Sequence, residues 1–250
     1  LHFLDGFLDR ALETLSLMVL QPAYGDREIV TLKRTQFYDL RQKQRDPEFV
    51  GRRQLLRVLF KEHPYQRSLY NEEVIKNLTR KDIQAFYDLY YRPNNALIVL
   101  AGNLNLAIAT RRVSHYLNIW PKRDVEPAIS PSLQANAAER FCFVDFPRAK
   151  EATLVIGNLI SPLDETEYFP LAVLNQVLGG TPFSRLFMNL RESKEYAYSA
   201  FSRLEYFRNC GVYAVTAAVI PPASSAAIRE ITRELDRITR EKVSNFELEQ

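Results

Sequence analysis

The sequence predicts an α+β fold, and three observations carry that prediction. Apolar residues recur at helical spacing early in the chain, as Leu4, Leu8, Ala11, Leu12, Leu15 and Val19. Short apolar runs bounded by turn residues, such as 96–101 and 152–157, read as strands. A stretch rich in Pro, Ser, Asn and Ala, residues 121–138, separates a helix-dominated first part from a second part in which strands and helices mix.

The elements follow in order. A first helix, about 4–20, ends before Pro22. A second, about 26–45, is highly charged (Lys33, Arg34, Arg41, Lys43, Arg45) and stops at Asp46-Pro47. A third, about 48–61, carries Leu55, Leu56, Leu59 and Phe60 on one side and ends at His63-Pro64-Tyr65. Thr79 and Asp82 have the spacing of a capping box for a helix with Ile83, Phe86, Tyr87 and Tyr90 on one face. Tyr91-Arg92-Pro93-Asn94-Asn95 is a turn before the strand 96–101, which Gly102 closes. A helix over about 105–118 precedes the linker.

Beyond it, residues 140–146 and 152–157 read as strands, and a helix runs from about 167 to Leu178 with Pro170 in its first turn. Gly179-Gly180 allows a sharp turn. Thr181 and Pro182 then have the residue types of an N-cap and first helical position. Phe183, Leu186, Phe187 and Leu190 form the buried stripe of the helix that follows. Strands near 197–205 and 212–219 flank a turn at 208–211. A long helix from Ser224 to about 242 turns Ile228, Ile231, Leu235 and Ile238 inward. Ser244 and Glu247 make a second capping box near the end of the chain. Both ends fall inside helical patterns, which is the pattern of a piece of a longer protein.

Composition narrows the function. The 250 residues carry a formal net charge of +3, too small to argue for a polyanion partner. The basic residues of 33–61 are interspersed with Asp39, Asp46, Glu48 and Glu62, which reads as a solvated or chamber-lining face and not as a nucleic-acid surface. Cys142 and Cys210 are too few for a disulfide scaffold, and their place in or beside strands predicts buried thiols. No apolar run approaches the roughly 20 residues of a membrane span, and no signal-peptide pattern opens the segment. The compartment is left open.

The run from Leu178 through Gly179, Gly180, Ser184 and Arg191 to Tyr198 resembles the second-repeat signature of the insulinase/pitrilysin metallopeptidases, which include the mitochondrial processing peptidases. The segment 90–102 resembles the strand signature that closes each domain of that family. The resemblance implies parts of two tandem domains, each a mainly antiparallel sheet with helices packed on one face. Residues 1–120 would be the C-terminal half of the first, 121–138 the linker, and 139–250 the N-terminal half of the second. It further implies that Arg191 and Tyr198 hold a substrate backbone and support an oxyanion. Gly179, Gly180 and Ser184 would line the substrate chamber.

The residues alone leave a plainer reading of that pair open: Arg191 as a cap on the helix C-terminus, and Tyr198 as a strand aromatic. An anion cradle at Gly179-Gly180 lacks the following Lys of a phosphate loop, and Ser184 has no neighbouring His in sequence to activate it.

Zinc hydrolysis in the family uses His-x-x-Glu-His, whose spacing puts both imidazoles on one helix face. His2, His63 and His115 are too far apart for that pair. The family's third ligand, a Glu, aligns near Asp39, and no Glu lies between Glu28 and Glu48. An Asp reaches one methylene less far than a Glu. The implied protein is therefore a zinc-less member that binds extended or unfolded polypeptide. Zinc would sit in a paralogous partner subunit, or in a missing N-terminal region, and a homo-oligomer is the other assembly implied. Two alternatives stand beside it: a fragment of an active zinc endopeptidase whose motif lies upstream of residue 1, and a scaffolding homologue.

Overall fold

The computed structural model describes residues 1–250 except 5, 68–70, 127–140, 148 and 250. The expected linker therefore lies mostly outside the described residues. Two compact units form, and they do not follow chain order. The first comprises residues 1–40 and 70–129, the second 41–69 and 130–250.

In the first unit, α1 (Leu8–Leu20) buries Leu12, and α2 (Asp26–Lys43) buries Leu40. The short α4 (Glu72–Asn77), which the sequence pattern does not single out, is capped at its start by Asn71. Its C-terminal carbonyls at Lys76 and Leu78 accept from Lys33 Nζ at 2.6 and 2.9 Å, so a cation meets the negative end of the helix dipole. The Thr79–Asp82 capping box forms as its spacing predicts and starts α5 (Arg80–Tyr90). Arg92, 5% exposed, folds back on the end of α5 and donates to the carbonyls of Asp88 and Tyr91. α6 (Leu106–Leu117) begins at an Asn105 cap and buries Ala109 and Leu117.

Residues 96–101 do not form the expected strand. Their backbone has no ladder partner among the described residues, and Leu97 and Val99 stand 89% and 78% exposed. Apolar alternation marks a segment able to join a sheet, but a strand exists only once a neighbour takes up its N–H and C=O groups.

The second unit is built on a three-stranded antiparallel sheet, β1 (Ala152–Ile160), β2 (Ala197–Phe207) and β3 (Cys210–Val219), in the order β1-β3-β2. Antiparallel strands on a packed face bury alternate residues. One face of β2 and β3 contributes Ala197, Ala200, Val215, Ala217 and Val219 to a core completed by Leu178, Leu186, Leu190, Ala227 and Ile231. Helices α7 (Glu165–Asn175), α8 (Arg185–Phe187) and α9 (Ser224–Arg240) pack on this side; of the predicted α9 stripe Ile231, Leu235 and Ile238 reach the core, with Ala227 buried there in place of Ile228. The opposite face carries a further helix, α3 (Pro47–Phe60), whose Leu56, Leu59 and Phe60 meet Cys210 and Val212. Phe60, His63, Tyr65 and Phe207 stack around its end, with Tyr65 and Phe207 rings 4.7 Å apart.

Residues 141–146 are not a strand either, and Phe141 and Phe143 are 83% and 79% exposed for the same lack of a partner. Arg140 lies outside the described residues. This also corrects the expectation for the cysteines: both thiols are free, but only Cys210 is buried and Cys142 is exposed. Among the described residues no helix is long and apolar enough to cross a membrane.

Candidate functional site

The segment from Leu178 to Tyr198 lies in the second unit, and its irregularities are local and specific. α7 does not end cleanly but continues through a π-helical turn, Gln176–Gly180, kinked at Gly179. A Cβ at position 179 would stand 2.5 Å from both the amide N and the Oγ of Ser202 on β2, so only glycine lets the chain lie this close to the strand. Ser202 Oγ in turn donates to Asn175 Oδ1 at 2.8 Å, fastening the end of α7 to the same strand. Gly179 is buried and Gly180 exposed.

The helix that follows starts later than its sequence suggests. Thr181 Oγ1 accepts from the Phe183 amide at 3.2 Å, so residues 181–184 form a turn, and α8 begins at Arg185. The delay removes Phe183 from the buried stripe, and it is 64% exposed. Leu186 and Leu190 keep their predicted burial, at 0% exposure each. Ser184 is buried at 2% exposure, and its Oγ has no hydrogen-bond partner among the described residues.

A second π-helical turn, Met188–Ser193, carries Arg191. The Lys194 amide reaches five residues back to the Asn189 carbonyl at 3.0 Å. π turns are rare, come mostly as single turns, and are frequent at functional sites. Arg191 makes no helix-end hydrogen bond among the described residues. Its guanidinium lies over the Phe187 ring at 4.9 Å, and its Nε is 3.7 Å from Glu192 Oε1, both exposed contacts. The plainer reading of Arg191 as a C-cap is therefore not what is observed.

Tyr198 follows in a β-bulge. Ala197 faces Val219 and Ser199 faces Ala218, which leaves Tyr198 as the extra residue between two consecutive partners. It is 60% exposed, and its hydroxyl makes no hydrogen bond among the described residues. The two side chains do not bond each other. Each is placed by a departure from regular geometry, a π turn for Arg191 and a bulge for Tyr198, on either side of one tight loop.

An ionic network fixes the helix from its other side. Arg185 Nε and Nη2 donate to Glu247 Oε1 and Oε2 at 2.5 and 3.1 Å. The Glu247 carboxylate also caps α10 (Asn245–Leu248), accepting from Ser244 N at 2.9 Å and Ser244 Oγ at 2.8 Å. Held by Arg185 first and by Ser244 second, against its partial burial, the Glu247 carboxyl is pulled down to about 2. Asn189 Nδ2 donates to Glu230 Oε2 and Glu234 Oε1 of α9 at 3.1 and 2.7 Å. Sequence spacing reveals the Ser244–Glu247 box but not its partner Arg185, which is 62 residues away.

Among the described residues no three His, Cys, Asp or Glu side chains gather to hold a metal. Asp39 is exposed on α2, His63 is buried in its aromatic stack, and His115 packs against Tyr116.

Comparison with known proteins agrees with the chain's own features. The chain is 26% identical over 252 residues to an uncharacterized zinc protease of Mycobacterium tuberculosis, covering 98% of this chain and 57% of that protein. A protease from Helicobacter pylori superposes with a TM-score of 0.90 at 20% identity, over 98% of this chain and 60% of that one. A peptidase M16 inactive domain from Pseudomonas fluorescens superposes with a TM-score of 0.83 at 19% identity, over 96% of this chain and 58% of that one. Residues 77–250 match the model of the peptidase M16 inactive domain, and the chain therefore belongs to that insulinase-type metallopeptidase family.

Proposed function

We propose that this chain is the metal-free, peptide-binding region of an insulinase-type peptidase, and that it completes the active site of a zinc-bearing partner subunit. Residues 1–120 and 139–250 would be the adjoining halves of two tandem domains. The observation that carries the reading is the paired, exposed placement of Arg191 and Tyr198 by two backbone irregularities, with neither side chain spent on the core. A phenol O–H donates to a developing oxyanion, and a planar guanidinium donates to a backbone carbonyl. The exposed Gly180 belongs to the loop expected to meet an extended polypeptide, with Gly179 and Ser184 behind it. Zinc chemistry is assigned to the partner, since Asp39 and the three histidines offer no site.

A second reading has its own support. The chain spans 57% of the length of a relative named a zinc protease, so a zinc motif could lie in the same polypeptide outside these 250 residues. One experiment separates the two. Peptide cleavage is measured with the full-length protein alone and mixed with its paralogue that carries His-x-x-Glu-His, with zinc supplied. Activity only in the mixture, reduced about 10²–10³-fold in kcat by Tyr198→Phe or Arg191→Ala, supports the split site. Chelator-sensitive activity of the protein alone selects the second reading. Silence in both leaves a scaffolding role.

A further inference from the structure

The short helix 185–193 presents three faces, each a pair of residues four apart. Leu186 and Leu190 sink into the core. Arg185 and Asn189 meet carboxylates of α9 and α10. Phe187 and Arg191 stack on the remaining side. Leucine packing is non-directional and tolerates some rotation of a helix about its axis. The π turn at 188–193 also loosens the helix's own hydrogen-bond register. The direction in which Arg191 points therefore depends most on the face that is held by charged hydrogen bonds to other helices.

On that face the Arg185 fork is bidentate to Glu247, and its side chain is 5% exposed. Asn189 one turn on divides its amide between Glu230 and Glu234, and Glu234 is 4% exposed and also accepts from Arg237 at 3.4 Å. These ties resist rotation, since a guanidinium–carboxylate fork has one good geometry.

We infer that Arg185, clamped by Glu247, is a positioning residue for Arg191, so that the segment 244–248 controls how the substrate-facing arginine is aimed. The inference rests on the reading of Arg191 as a substrate contact, but its first test does not. The full-length protein is labelled with 15N-arginine, and the Arg191 Nε–H resonance is identified by its loss in Arg191→Lys. Arg185→Lys keeps the charge and loses the fork. Glu247→Gln perturbs the clamp from outside the helix and is the milder change should the first variant fold poorly. In natively folded samples both move or broaden the Arg191 resonance. An unmoved resonance in both overturns the inference, whatever the activity.

The second arm uses cleavage in the zinc-supplied mixture. Arg185→Lys lowers kcat at least about tenfold with KM nearly unchanged when Arg191 is present, and adds nothing on an Arg191→Ala background. Equal losses on both backgrounds mean that Arg185 merely supports the fold, and overturn the inference. If Arg191→Ala itself leaves cleavage intact, the substrate reading of Arg191 falls, and the resonance alone decides the positioning claim.

Discussion

The Tyr196 amide donates to the Leu190 carbonyl at 2.8 Å, closing the loop that joins the Arg191 helix to β2. The Tyr196 carbonyl then accepts from Ile220 at 2.9 Å, so the loop is pinned to the end of β3 as well. Making so short a connection requires one residue in the left-handed region, and that residue is Glu195, at φ 55°. For an L-residue this conformation costs roughly 1–2 kcal/mol. Its side chain is exposed and offers no compensating burial.

Glu195→Gly is therefore expected to stabilise the protein by about 1 kcal/mol, less the extra unfolded-state entropy of glycine. Glu195→Val, β-branched and strained at positive φ, is expected to destabilise it by more than about 1 kcal/mol. Denaturant melts of the full-length variants check both. The reverse order of stability would show that residue 195 is not left-handed in solution.

Gly179 and Gly180 are adjacent in sequence and unequal in structure. A methyl at 179 meets backbone and hydroxyl of Ser202 at 2.5 Å, groups that cannot retreat without moving β2. A methyl at 180 meets the Gln176 side-chain oxygen at 2.2 Å, the far end of a flexible side chain. Gly179→Ala is expected to cost about 1–3 kcal/mol and Gly180→Ala much less. Thermal melts of the two single variants decide it, and equal losses would contradict the close approach.

How far the sequence reads correctly depends on how local each signal is. The Thr79–Asp82 and Ser244–Glu247 boxes are each set within a few residues and appear as read, and three of the four residues of the α9 stripe reach the core. Segments 96–101 and 141–146 carry strand composition without strand pairing among the described residues, since pairing depends on a neighbour that periodicity does not encode. The π turns at 176–180 and 188–193 and the bulge at Tyr198 leave no composition signal. Arg191 and Tyr198 were visible only through a family signature, and Arg185 became visible only through its distant carboxylate.

Arg92, in the first unit, acts locally on the helix that precedes it. Although 5% exposed, it serves the C-terminus of α5 by donating to the Asp88 and Tyr91 carbonyls. Trp120 Nε1 reaches the same Tyr91 carbonyl at 3.2 Å. Lysine keeps the charge but cannot serve two carbonyls with a planar fork. Arg92→Lys is expected to cost about 1–2 kcal/mol and to speed amide exchange at 88–92. Exchange unchanged there would mean that the guanidinium is dispensable for the cap.

Glu247 gives a pH signature for the clamp. Its carboxyl is lowered from about 4.5 to about 2 by the Arg185 guanidinium first and by the Ser244 donors next. A depressed carboxyl contributes stability that is fully present above its unfolded value and lost as pH falls through its folded one. The window is thus from about 4.5 down to about 2. The upper bound is roughly 3 kcal/mol, which solvent screening at a side chain 24% exposed reduces toward 1–2. Other carboxylates titrate over the same range, so the informative quantity is the difference between the native protein and Glu247→Gln. That difference in denaturant stability is expected to be constant from pH 7 to about 5 and to shrink steadily toward pH 2. A gap that does not change with pH would mean that Glu247 contributes through packing alone, and that the fork on Arg185 is not an ion pair in solution.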